Sequence, residues 1–191
     1  MISVRNWLQG ASLAAALTAG AIGLAPVAHA QSTGPVKIGI LHSLSGTMAI
    51  SETVLKDTVL MAIEEINAAG GIKALGGAKV NLVVADSTST PTTAGTVAQR
   101  LIAQNSVAAI LGAFASSLTL AVSEVAERRG IPLLTMSFSD QVTGRGFQNV
   151  FQDVSKASTL GRAQFDGTLA LARAAGETIE RAAILYEDTA Y

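Results

Sequence analysis

The chain has 191 residues, with 13 basic and 14 acidic side chains and a net charge of −1 at neutral pH. This balance excludes the basic surface that nucleic acid or an anionic membrane requires, so neither is an expected partner. The chain has no cysteine and two histidines. A disulfide framework is therefore impossible, a zinc site is not expected, and stability must come from one packed α/β core.

Residues 1–30 have the pattern of a secretory signal peptide. MISVRNW carries one positive charge, the apolar run LQGASLAAALTAGAIGLAPV follows, and AHA fits a small-x-small cleavage site. A membrane anchor is the alternative interpretation, but the Ala- and Gly-rich run and the cleavage triplet favour removal. No cysteine follows the run, which excludes a lipid-anchored mature N-terminus. We expect an exported protein that is not membrane-embedded after removal of the signal.

The rest of the chain alternates between predicted strands and predicted helices. The strands are short, β-branched and apolar nearly throughout, which is typical of a parallel sheet covered on both faces by helices. They are predicted at 36–43, 78–86, 106–113, 131–137 and 180–188. The pattern therefore predicts a Rossmann-like, doubly wound α/β fold.

Helices are predicted between these strands from apolar residues at helical spacing. Within 48–69 an apolar stripe is expected, made of Leu55, Val59, Ala62, Ile63 and Ile66. Thr90 and Pro91 supply an N-cap and an N1 proline for the second helix. A third helix begins near the serine pair at 116–117, and a longer one spans 155–176.

Serine and threonine are frequent where the predicted strands end, as in HSLSGT, DSTST, AFASS and TMSFSD. Ligands of an open parallel sheet bind beyond these carboxyl ends. Hydroxyls and helix N-termini bind carboxylates and other hydrogen-bonding solutes, because unsatisfied N–H groups point outward there. The pattern favours a receptor over a catalyst.

Signs of catalysis are weak. After the signal peptide the one histidine is His42, which we interpret as a satisfied histidine at the sheet edge. The two glycine patterns of phosphate-binding loops, G-x-x-x-x-G-K-[ST] and G-x-G-x-x-G, do not occur in the sequence. Asp86 could bind a ligand or cap the next turn, and the serine pair at 116–117 could be a plain N-cap. We expect no enzyme activity, no catalytic residue, no metal and no cofactor.

Four stretches in order along residues 36–191 resemble the periplasmic leucine/isoleucine/valine-binding proteins, the solute receptors of ABC importers. They are VKIGILHSLSG, AIEEINAAGGI, GAFASSLTLAVSEVAERRGIPLLTMSFSD and TGRGFQNVFQ. The resemblance implies the type I periplasmic binding protein fold: two Rossmann-like lobes with an amino acid bound between them. It further implies a monomer in the periplasm that works with the membrane subunits of an ABC importer.

The resemblance also implies ligand-binding residues. Ser116 matches the serine whose hydroxyl holds the ligand carboxylate, helped by nearby N–H groups. Ser137 matches a position whose carbonyl accepts the α-ammonium, and Ser139 matches a hydroxyl that contacts the same head group. Tyr191 matches an aromatic residue facing the cleft. The complete expected set is Ala115, Ser116, Ser117, Ser137, Phe138, Ser139 and Tyr191.

The ligand has more than one interpretation. Ser51 stands where the family often has an aromatic residue, and HSLSGTMAISE is similar to the urea- and short-amide-binding branch. ASSLT and MSFSD instead resemble the amino-acid branch, which we favour. Two further hypotheses are a sensor without transport and an exported α/β enzyme with its catalytic residues in a missing half.

We expect three segments: a signal peptide at 1–30, a first solute-binding lobe at 31–150 and the start of a second lobe at 151–191. The chain stops after a predicted strand and before any helix that would cover it. This pattern predicts a truncated second lobe and an exposed apolar face on AAILYE at 182–187.

Overall fold

The computed structural model describes residues 34–186, 188 and 190. The predicted signal peptide and Tyr191 lie outside the described residues. Five strands form one parallel sheet. They are β1 (Val36–His42), β2 (Val80–Asp86), β3 (Ala109–Gly112), β4 (Leu133–Thr135) and β5 (Val150–Gln152).

Helices connect the strands, as the periodicity predicts. They are α1 (Ala49–Ala68), α2 (Pro91–Ala103), α3 (Ser116–Arg129), α4 (Gln141–Gly144) and α5 (Ala157–Ala174), with a short 3-10 helix at Lys73–Leu75 before β2. α2 begins as predicted, with Thr90 at the N-cap position and Pro91 at N1. The Thr90 hydroxyl, however, donates to the hydroxyl of Thr93 and not to a backbone amide.

The strand order is β2-β1-β3-β4-β5. The chain builds outward from β1 in one direction and then, after β2, in the other, so the predicted doubly wound α/β architecture is confirmed. Parallel crossovers are right-handed, so this reversal places α1 on one face and α2 and α3 on the other. β1 and β3 are neighbours at the point of reversal.

The core lies between the sheet and the pair α2 and α3. These two helices pack against each other, and their inward faces join buried residues of the strands. Gly39 of β1 lets α2 come close, since a Cβ there would stand 3.1 Å from the Leu101 side chain. The buried apolar residues of α2 and α3 are Ala94, Val97, Ala98, Leu101, Leu118, Val122, Val125 and Ala126.

The opposite face is covered less completely than the sequence predicts. Leu134 of β4 stands in register with Leu111 of β3 and with Phe151 of β5, so the three share one face. Leu134 is 42% exposed and Phe151 52% exposed. Helices flank both faces of the sheet as predicted, but α1 packs against β1 and β2 and leaves this face of β4 and β5 partly exposed.

Two further expectations about apolar patterns are wrong. Residues 180–186 form neither strand nor helix, although the exposure of Ile184, Leu185 and Tyr186 agrees with the predicted apolar face. A strand requires a pairing partner, which a local pattern cannot supply. In α1, Ala62 and Ile66 of the predicted stripe are exposed, and its one buried residue is Glu52.

The last two elements of the described chain, β5 and α5, lie at the predicted boundary between the lobes and after it. The expected boundary at 150/151 falls inside β5, which pairs with β4, so the division into two lobes stays a prediction. α5 follows and buries none of its residues.

Candidate ligand-binding site

Six of the seven predicted site residues lie where the carboxyl ends of the strands form one border of the sheet, which we call the serine edge. They occupy the loops and the helix start that follow the neighbouring strands β3 and β4. Because β3 lies beside the point where the winding reverses, this edge is where open α/β sheets bind ligands. The residues brought together are Ala115, Ser116, Ser117, Ser137, Phe138 and Ser139.

The start of α3 differs from a simple serine cap. Ala115 is the N-cap residue, with extended backbone at φ −62° and ψ 130°, and no side chain caps the helix. The first amides that bond within this turn are those of Leu118 and Thr119, both to the Ala115 carbonyl. The plain N-cap interpretation of Ser116 and Ser117 is therefore wrong, and their N–H groups belong to the unpaired first turn.

The hydroxyls of Ser116 and Ser137 meet at this edge. Ser137 Oγ donates to Ser116 Oγ over 2.9 Å, Ser116 is 4% exposed and Ser137 is fully buried. This bond is the one that the described residues provide for the Ser116 hydroxyl. A hydroxyl that accepts one bond still has a proton to donate. Ser116 can therefore donate one further hydrogen bond.

Two buried threonines hold the backbone behind these serines. The hydroxyls of Thr119 and Thr135 both donate to the Ala113 carbonyl, over 2.9 and 2.6 Å. Thr135 Oγ1 also accepts from the Ser137 amide over 3.1 Å. Sequence reasoning missed both residues, since a threonine in an apolar run gives no sign of which carbonyl it will reach. They fix the two loops relative to each other.

Phe138 forms an apolar contact across the same two loops. Its ring lies edge-to-face with that of Phe114, with centroids 6.0 Å apart and planes at 86°. Both rings are half-buried. The edge therefore combines hydrogen-bonding groups with apolar surface, as small-molecule sites do.

Ser139 has a structural partner in the described chain. Its hydroxyl accepts from the Gln141 amide over 3.3 Å, and its carbonyl accepts from the Val142 amide. The side chain thus supports the turn into α4. A ligand contact by Ser139 stays a prediction.

The end of β1 carries a buried histidine–glutamate pair. His42 Nδ1 lies 3.0 Å from Glu52 Oε2, and Glu52 also accepts from the amide and the hydroxyl of Ser43. Burial raises the pKa of Glu52, but the hydrogen bonds from His42 and Ser43 outweigh it and leave the pKa lowered. His42 is therefore satisfied, as predicted, although β1 is an interior strand and not an edge strand.

Asp86, at the end of β2, is a turn-capping residue. One carboxylate oxygen accepts from the amides of Leu44, Ser45 and Thr88, and the other accepts from the Ser45 hydroxyl over 2.6 Å. Partial burial raises its pKa, and these hydrogen bonds more than offset that effect, so the pKa is lowered. Because these donors belong to the turns that follow β1 and β2, the capping interpretation holds for Asp86.

The described residues contain no cluster of three or more histidine, aspartate or glutamate side chains that could hold a metal ion. None of the helices in that part of the chain has the length and apolar character needed to cross a membrane. A shallow groove lined by Leu60, Asn67 and Val80 lies between α1 and β2, away from the serine-lined edge.

Comparison with known proteins agrees with the fold. Residues 35–191 match the family described as periplasmic binding protein. The chain therefore belongs to the periplasmic binding protein family, as the resemblance in the sequence implied. The match covers the whole of the sequence after residue 34.

Individual relatives carry more specific names. The chain is 35% identical over 188 residues to the Leu/Ile/Val-binding protein homolog 8 of Brucella suis biovar 1, covering 96% of this chain and 44% of that protein. It is 32% identical, with a TM-score of 0.60, to the branched-chain amino acid transporter substrate-binding protein LivJ of Streptococcus pneumoniae, solved in complex with isoleucine. That match covers 64% of this chain and 34% of LivJ.

A second solved structure, the leucine-binding protein LivK of Thermotoga maritima, is 25% identical with a TM-score of 0.63. The match covers 74% of this chain and 38% of LivK. The chain thus spans less than half the length of each of these relatives.

Proposed function

We propose that this chain is part of a periplasmic solute receptor that binds an amino acid, branched-chain or similar, and delivers it to the membrane subunits of an ABC importer. The proposal rests on the proposed export of the chain by its signal peptide and on the family to which it belongs. In this account the protein acts as a monomer, without a cofactor and without catalysis.

The observation that carries the proposal is the serine edge. The hydroxyl of Ser116 accepts from Ser137 and retains a proton to donate. Beside it, the N–H groups of the first turn of α3 add partial positive charge. A carboxylate, which only accepts hydrogen bonds, fits this set of donors. The Phe114 and Phe138 rings offer apolar contact for an aliphatic side chain.

The test measures, by ligand-observed NMR, the binding of common amino acids and of short amides, including urea, to the chain without its signal peptide. One lobe in competition with water should bind on the order of millimolar or more weakly, because each solvent-exposed hydrogen bond contributes only about 1 kcal/mol. We expect branched-chain amino acids to bind best. Silence across both panels would contradict the receptor function.

Ser116→Ala sharpens the test. Loss of one charge-assisted hydrogen bond should weaken amino-acid binding by about ten- to a hundredfold. Thr96→Ala is the control, since it removes an exposed hydroxyl that bonds only to the Thr92 carbonyl within α2, and it should leave the affinity unchanged. Equal affinities for the unaltered chain and Ser116→Ala would exclude the serine from the site.

A urea or short-amide receptor is the second candidate, favoured by Ser51. This residue is exposed at the start of α1, where an aromatic side chain would add apolar surface. Preferential binding of amides over amino acids in the same panel would support this candidate. An enzyme would instead show steady turnover of an amide or ester that depends on His42 or Ser116.

A further inference from the structure

His42, the last residue of β1, has two ring nitrogens with different surroundings. Nδ1 lies 3.0 Å from Oε2 of Glu52, and the Glu52 carboxylate also accepts from the amide and the hydroxyl of Ser43. Because the pKa of Glu52 is lowered, this carboxylate is ionised at neutral pH and only accepts hydrogen bonds. Nδ1 therefore carries a proton, and its bond to Glu52 fixes the orientation of the ring.

The second ring nitrogen, Nε2, has no hydrogen-bond partner among the described residues, although the side chain is only 6% exposed. In this part of the chain, every side-chain nitrogen or oxygen that is shielded from solvent has such a partner. Nε2 is therefore in contact with solvent. A nearly buried ring thus presents one polar atom, and a carboxylate that accepts from the other nitrogen makes that atom a better hydrogen-bond acceptor.

His42 lies at the carboxyl end of β1 and hence at the same border of the sheet as the serines. β1 and β3 are neighbours where the winding reverses, and Leu41 of β1 pairs with Gly112 of β3. His42 is thus next to the start of the loop that leads from β3 to Ser116. Open α/β sheets bind ligands at this point, and a neutral imidazole with its proton on Nδ1 adds an acceptor there.

We propose that Nε2 of His42 is a further ligand-binding atom of the serine edge, which accepts a hydrogen bond from an N–H group of the ligand. Glu52 is the positioning residue that orients the ring. A short amide and the ammonium group of an amino acid are the two sources of such an N–H group. This inference rests on the proposed function and adds to it a recognition element at the end of β1.

Nitrogen NMR of the imidazole tests the proposal directly. The chain without residues 1–30 has one histidine, so the Nε2 resonance belongs to His42. The probes are acetamide, L-leucine and N,N-dimethylacetamide, which has no N–H group. We expect acetamide or L-leucine to move the Nε2 resonance at neutral pH, and the one that does so identifies the source of the N–H group. N,N-dimethylacetamide should leave the resonance in place.

Two variants separate binding by His42 from its structural role. In His42→Asn the side-chain amide reaches the place of Nδ1 and still donates to Glu52, but nothing replaces Nε2. In His42→Gln the amide reaches the place of Nε2, and the bond to Glu52 is lost. We expect His42→Asn to weaken binding of the N–H ligand by about five- to tenfold with little change in melting temperature. His42→Gln should lower the melting temperature and change the affinity by less than about threefold.

The outcomes are distinct. A resonance that moves with neither acetamide nor L-leucine, or equally with N,N-dimethylacetamide, would overturn the inference and leave the receptor function intact. Equal affinities of a folded His42→Asn variant and the unaltered chain would overturn it in the same way. If His42→Asn does not fold, the resonance of the unaltered chain decides alone. If no amino acid or amide of the wider panel binds, the proposed function fails, and this inference fails with it.

Discussion

At the scale of single residues, the ends of β1 and β2 depend on buried or partly buried carboxylates. Glu52 is fully buried and accepts hydrogen bonds from His42 and Ser43. Its pKa is lowered because these bonds outweigh the effect of burial. The folded state therefore binds a proton at this site less readily than the unfolded chain does.

We predict that the chain loses stability as pH falls below the ordinary glutamate pKa of 4.5 and through the lowered folded pKa of Glu52. The contribution is complete above the unfolded pKa, where both states are ionised. Glu52→Gln should lower the free energy of unfolding by about 1–3 kcal/mol at neutral pH, because one buried donor loses its acceptor. That difference should shrink at pH 3.5.

Urea unfolding at pH 7 and pH 3.5 measures both effects. Glu64→Gln, an exposed change on the same helix, is the control and should stay within about 0.5 kcal/mol of the unaltered chain at neutral pH. A Glu52→Gln variant as stable as the unaltered chain at neutral pH would contradict the role given to the buried carboxylate.

At the scale of elements, the two faces of β4 have opposite surroundings. Leu133 is fully buried against the α2–α3 side, whereas Leu134 and Phe151, on the other face, are about half exposed. Exposed apolar surface of this kind stabilises the fold little and binds apolar dyes or other proteins.

Phe151→Thr should therefore lower the binding of an apolar fluorescent dye while changing the free energy of unfolding by less than about 1 kcal/mol. Leu133→Ala, on the covered face, should cost about 2–5 kcal/mol because it leaves a cavity. Dye fluorescence and urea unfolding of the two variants provide the comparison. Equal destabilisation by both changes would show that Phe151 is packed as tightly as Leu133.

Much of the element order follows from the sequence, because apolar periodicity and the helix-start signal of Thr90 and Pro91 are local. Pairing is not local. Residues 180–186 have a strand-like pattern but no partner strand among the described residues, whereas β5 pairs with β4 although it is not among the strands predicted from the sequence.

The candidate site likewise has features that the local sequence predicts and features that require the folded chain. The positions of Ser116 and Ser137 follow from where β3 and β4 end, so the motifs predict their proximity. The hydrogen bonds from Gln152 Nε2 to the carbonyls of Ser137 and Ser139 depend on the register of β5 against β4, in which Gln152 pairs with Thr135. The bonds from Thr119 and Thr135 to Ala113 likewise require the folded backbone.

At the scale of the whole molecule, we propose that the described chain supplies one wall of a ligand site. The relatives are more than twice as long as the part of them that this chain matches. Closure of a second wall over a ligand would exclude water and strengthen each hydrogen bond. We therefore expect the affinity of this chain to be lower than that of a protein that supplies both walls.

The most direct measurement is an NMR titration of the isotope-labelled chain, without its signal peptide, with L-leucine. We predict that the largest amide shifts occur at residues 115–117 and 137–139, beyond the carboxyl ends of β3 and β4. Shifts centred instead on the groove at Leu60, Asn67 and Val80, or no shifts at saturating leucine, would contradict it.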